Sequence, residues 1–130
     1  MEHERERPSA VAPHEWILTK LALNDDSLIA GLTESDAANL DASGLDPRTH
    51  ALVRMGALLA LDAAPASYGA VVRLAERAGV SGSEIVGVLV AVIPYIGIAR
   101  TVSAAPELAL AVGFDVNDVI EGDRDVAGSV

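Results

Sequence analysis

Apolar residues recur along this chain at helical spacing and nowhere alternate with the period of two that marks a half-buried strand. The pattern predicts a first helix over residues 13–23, with Trp16, Ile17, Leu21 and Leu28 as its apolar contacts. Asn24-Asp25-Asp26 interrupts it, and Asp25 is placed to cap a short second helix running to Gly31. The polar stretch from Thr33 to Gly44 predicts no more than one irregular helical turn. The firmest boundary follows, where Asp46 offers a capping carboxylate and Pro47 occupies the first helical position, whose N–H has no partner in any helix.

From there Leu52, Val53, Met55, Leu58, Leu59 and Leu61 make a helix that is apolar on nearly every side, closed by Asp62 and Pro65. A further helix over residues 65–78 turns Val71, Val72 and Leu74 inward and Arg73, Glu76 and Arg77 outward, with Gly79 as its stop. Ser81-Gly82-Ser83-Glu84 reads as a capping box, Ser81 accepting from the backbone while Glu84 reaches back. The apolar helix that starts there meets Pro94, which predicts a kink or break near Ile93. A last long helix over residues 96–112 carries Pro106 and ends at Gly113; Asp115 then caps a short terminal helix. The fold class is all-α.

Composition sharpens this picture. Apolar residues make up 51% of the 130 positions and aromatics only 3%, so alanine, valine and leucine supply the core. Small side chains let helix axes approach closely, which favours a compact helical domain. One domain fits this length. Residues 1–12 read as a disordered lead-in, 13–121 as a single helical domain and 122–130 as a frayed tail. The mean hydropathy of +0.35 is high for so short a chain, and the excess implies burial against further copies of itself.

Net charge is −10 and lies at the ends: residues 1–47 hold ten acids and three bases, while residues 48–114 hold four acids and five arginines. Acidic ends and no basic stripe exclude nucleic acid as an expected partner. The longest apolar run, 85–99, is 15 residues long and contains Pro94; a bilayer span needs about 20 residues, so a buried helix is expected and not a membrane segment. The charged N-terminus has no apolar core of a secretory signal, and a cytoplasmic location is the expectation. With no cysteine, disulfides, thiolate metal sites and cysteine nucleophiles are excluded.

Leu45-Asp46-Pro47-Arg48-Thr49, the apolar helix after it, the following helix with Gly79, Ser81-x-x-Glu84-Ile85, and Pro94-Tyr95-x-Gly97 form an ordered set. That set, over residues 45–112, resembles the carboxymuconolactone decarboxylase and alkylhydroperoxidase-D family. The resemblance implies a helical domain that assembles as a homo-trimer or homo-hexamer. The peroxidase branch of that family uses a glutamate, a Cys-x-x-Cys pair and a histidine. Aligned from Asp46-Pro47, those positions fall on Ala51, Ala63, Ala66 and Ala70, all alanine. A thiol peroxidase needs a thiolate, a base to activate it and a resolving partner, and none stands there.

The remaining candidates are few. His50 and Arg54, four residues apart on one helix face with Leu58 and Leu61, pair a proton-transfer group with a carboxylate-binding guanidinium; the ordinary reading is a polar helix start or an intersubunit salt bridge. Tyr68 lies two residues after Ala66, where the resemblance places the active centre; ordinarily such a ring packs and its hydroxyl bonds to backbone. Arg100 closes the apolar run and suits an acid group, or simply snorkels. Tyr95 is expected to serve structure at the Pro94–Gly97 break. His3, His14 and His50 are too scattered for a metal site, no nucleotide motif occurs, and no cofactor is expected. Two functions remain open: a protein that binds or acts on a small organic acid or lactone in an apolar interfacial pocket, decarboxylase-like if it is an enzyme, or a non-catalytic oligomeric scaffold that has lost the family's chemistry.

Overall fold

The computed structural model describes residues 6–62, 65–113 and 115–128, and every regular element among them is a helix. The chain divides into two compact units, residues 1–44 and 45–130.

The first unit holds α1 (Pro13–Ala22), α2 (Asp26–Glu34) and α3 (Asp36–Ser43). Asp25 caps α2 by accepting from the Leu28 N–H at 2.9 Å, as its place after Asn24 predicts. Asn24 itself takes φ 53°, a left-handed conformation that asparagine tolerates and that turns the chain between α1 and α2. Lys20 pairs with Asp25 at 3.7 Å and lies 5.5 Å from the centre of the Trp16 ring, fastening the same corner. Where one irregular turn was expected between Thr33 and Gly44, the structure has the two-turn helix α3. Ser35 caps it through the Ala38 N–H, and Gly44 ends it at φ 67°. None of the three helices contains a fully buried residue, and Leu21, expected as a packing contact, is exposed.

The second unit is built from α4 (Pro47–Ala60), α5 (Pro65–Arg77), α6 (Gly82–Ile96), α7 (Ile98–Val112) and α8 (Val116–Gly128). Its core is a set of stripes four and three residues apart: Ala51, Met55 and Leu59 on α4; Tyr68, Val72 and Ala75 on α5; Ile85 and Leu89 on α6; Ala104 and Leu108 on α7. Burying each large member contributes about 1.5–3 kcal/mol. Helix α4 packs against α5, α6 and α7, which makes it the central element. At Gly56 a Cβ would meet Val92 and Val88 of α6 at 3.5 and 3.7 Å, ordinary contact distances.

Caps place these helices. Asp46 accepts from the Thr49 N–H at 2.8 Å and from its hydroxyl at 2.9 Å. The capping box at Ser81 and Glu84 forms with both of its bonds, and Glu84 also pairs with Arg48 in the first turn of α4. Gly79 and Gly113, at φ 86° and 104°, terminate α5 and α7 as predicted.

Two expectations change. Pro94 does not break α6: it sits in the last turn, where the lost N–H removes one bond, while the Gly97 N–H still reaches the Ile93 carbonyl at 3.0 Å. The chain breaks at Gly97, whose φ 83° and ψ 168° are a glycine conformation. Helix α8 continues past Gly122, where the tail was expected to fray, and runs to Gly128. Asp115 accepts from the Asn117 N–H at its start.

Candidate functional site

The proposed polar residues all belong to the second unit, with His50 and Arg54 on α4, Tyr68 on α5 and Arg100 on α7. His50 lies in the first turn of α4, buried to 8% exposure, with its N–H on the Asp46 carbonyl. Arg54 is half-buried one turn later. The row they start, through Leu58 to Leu61, flanks the core stripe and rises toward solvent, so that Leu61 is exposed.

At the other end of α4 a different group assembles. Ala60 is ten residues from His50, about 15 Å along the axis at 1.5 Å per residue. Arg100, at the start of α7, donates to the Ala60 carbonyl, so its guanidinium caps the C-terminus of α4. Asp62 follows at φ 52°, a left-handed residue that ends the helix. Arg100 thus holds a backbone carbonyl at the end of α4.

Tyr68 stands in this second group. Its position on α5 puts the ring on the core face, only 1% exposed, among residues of α4 and α7. The expected packing of the ring is present, but the expected backbone bond is not: its hydroxyl has no hydrogen-bond partner among the described residues. Such a buried unmade bond costs about 1–3 kcal/mol. Burial raises the phenol's pKa above its ordinary 10.0, and the carboxylates of Asp62 and Glu107 raise it further. Glu107, half-buried on α7, and Asp62 were not among the residues singled out from the sequence. A signal for Glu107 existed, because it is the lone acid in α7. Their convergence on Tyr68 depends on the packing of α5 against α4 and α7, which no local pattern encodes.

The positions that the resemblance sets against the peroxidase branch's redox residues lie elsewhere. Ala51 is packed in the core, whereas Ala66 and Ala70 are exposed on α5. Each is two residues from Tyr68, about 200° around the helix, so they face away from the hydroxyl. Ala63 lies outside the described residues. Tyr95, expected to serve structure, is 91% exposed, its side chain clear of the turn at Gly97. Arg73, Glu76 and Arg77 form the expected solvated face of α5.

Among the described residues no group of three or more histidines, cysteines or acids is placed to hold a metal ion. No helix among them is long and apolar enough to cross a membrane.

Compared with known proteins, the chain has no match among curated proteins or solved structures. It does match a family model, described as the carboxymuconolactone decarboxylase family, over residues 27–110. That span runs from the first turn of α2 nearly to the end of α7. It contains the Asp46 and Ser81 caps, the glycine at 97, and the Asp62, Tyr68 and Glu107 group. With well over half of its length matched, this all-helical, cysteine-free chain belongs to the carboxymuconolactone decarboxylase family.

Proposed function

We propose that this family member binds, or acts on, a small organic acid or lactone at the Tyr68 hydroxyl, and does so without thiol peroxidase chemistry. The single observation that carries the reading is the buried phenol with an unmade hydrogen bond, since buried polar groups are nearly always satisfied. Peroxidase chemistry is set aside because the chain has no cysteine and its four family redox positions are alanine. Thermal-shift screening of small carboxylates and lactones tests the proposal, with Tyr68→Phe and Arg54→Ala run beside the wild-type protein. Stabilisation lost in Tyr68→Phe supports it, and an identical response of all three proteins removes it.

A second reading, a non-catalytic oligomeric scaffold, is favoured by the replacement of all four redox residues. Either reading includes self-assembly. Val86, Val90, Ile98 and Val102 are exposed large apolar residues on α6 and α7, a surface suited to burial against further copies. Light scattering after size exclusion is expected to give a trimer or hexamer; a monomer at micromolar concentration contradicts the assembly.

A further inference from the structure

We propose that α8 of one copy docks on the outer face of α5 of a second copy, with Asp123 set against Arg73 and Arg77. The proposal is independent of the Tyr68 reading and concerns a different surface from the apolar patch of α6 and α7. It begins with α8, which follows α7 after Gly113 and packs against it. Val116 is half-buried in the first turn, but Val119, Ile120 and Val126 are exposed at 61%, 45% and 70%. At about 100° per residue those three fall within roughly a third of the helix circumference, and the exposed Asp123 lies between them. Asp118, Glu121 and Asp125 occupy the opposite side. The result is an amphipathic helix whose exposed apolar stripe carries one acid at its centre. Such a stripe fits a partner surface that is apolar and holds a cation.

The outer face of α5 has that chemistry. Ala66, Ala70, Arg73 and Arg77 share one exposed stripe, about 180° from the Tyr68, Val72 and Ala75 face that joins the core. The two alanines keep it shallow, and the arginine stems offer apolar cover while their heads stay charged. Arg73 folds back along α5, its Nη1 3.2 Å from where a Cβ at Gly69 would stand. Among the described residues neither arginine forms an ion pair, and nor does Asp123. The edges match as well, because Arg124 borders the α8 stripe and Glu76 borders the α5 stripe. The α5 stripe faces away from α4 and α7, and α8 continues from α7, so the helix that occupies it is a second copy's α8 and not the chain's own.

Size exclusion with light scattering on the full chain tests the proposal. All the residues changed are exposed, and circular dichroism verifies that the helices persist. Asp123→Arg, and the pair Arg73→Asp with Arg77→Asp, are each expected to lower the mean mass relative to wild type at the same micromolar concentration. Combining the three changes in one chain restores opposite charges across the contact and is expected to raise the mass back toward the wild-type value. A monomeric wild type overturns the proposal, and so does a combined variant no heavier than the one-sided ones. A wild-type assembly that the one-sided variants leave intact removes the α8 contact alone, while assembly through α6 and α7 stands.

Discussion

Arg48 and Glu84 form an ion pair that ties the first turn of α4 to the first turn of α6. Glu84 performs two tasks there, since it also accepts from the Ser81 N–H to complete the capping box. Removing it by Glu84→Ala should lower stability by about 1–2 kcal/mol, a cap plus part of an exposed pair. Arg48→Ala removes only the pair and should cost less than about 1 kcal/mol. Urea titration of both variants checks this; equal losses would mean that the cap contributes nothing.

The unmade bond of Tyr68 predicts an unusual response to its removal. Tyr68→Phe should leave stability unchanged or raise it by about 1 kcal/mol, because the hydroxyl is buried without a partner. Tyr68→Ala, which empties the ring's place in the core, should cost about 3–5 kcal/mol. A loss on Tyr68→Phe above about 1 kcal/mol would show that the hydroxyl is satisfied in solution.

Stability should decline at both extremes of pH, for separable reasons. The folded Tyr68 phenol titrates above its ordinary 10.0, chiefly through burial and then through Asp62 and Glu107. Its contribution is complete below that value and is lost as pH rises through the folded pKa, because the unfolded chain releases the proton first. Tyr68→Phe should flatten the alkaline decline. Asp46 titrates below its ordinary 3.8, held there mainly by the Thr49 N–H and then by the Thr49 hydroxyl. Its contribution is complete above 3.8 and is lost as pH falls through the folded pKa. Denaturation midpoints across the acid range should fall less steeply for Asp46→Asn.

Two glycines, one within α6 and one just after it, should respond in opposite directions. Gly97→Ala forces a side chain onto φ 83° and should destabilise by about 1–3 kcal/mol. Gly87 is exposed within the helix with open space around it, and Gly87→Ala should stabilise by about 0.5–1 kcal/mol. Melting temperatures of the two variants give the comparison directly.

The parts of this fold that were legible in the sequence are those decided by a few neighbouring residues. Asp25, Asp46, Ser81 with Glu84, Gly79 and Gly113 act within one turn of themselves, and each does what its place predicts. Helix α3 was hidden because its apolar signal is weak; its Ser35 cap was the available cue. The break after α6 was assigned to Pro94 because proline disrupts helix interiors, yet near a C-terminus the following bonds survive and Gly97 decides. The candidate site was read only in part. Tyr68 was named for its place beside Ala66, but its unmade bond and its two carboxylates arise where three helices meet. Arg100 was visible as a cation at the end of an apolar run. Its acceptor, the Ala60 carbonyl forty residues earlier, was not.

The division of the chain at Gly44 also sorts its chromophores. Trp16 belongs to the first unit, while Tyr68 and Tyr95 belong to the second. Selectively excited indole emission therefore follows the first unit alone, and phenol absorbance follows the second. In one denaturant series the two optical signals report each unit's melting independently, and superimposable transitions would mean that both units unfold as one cooperative body.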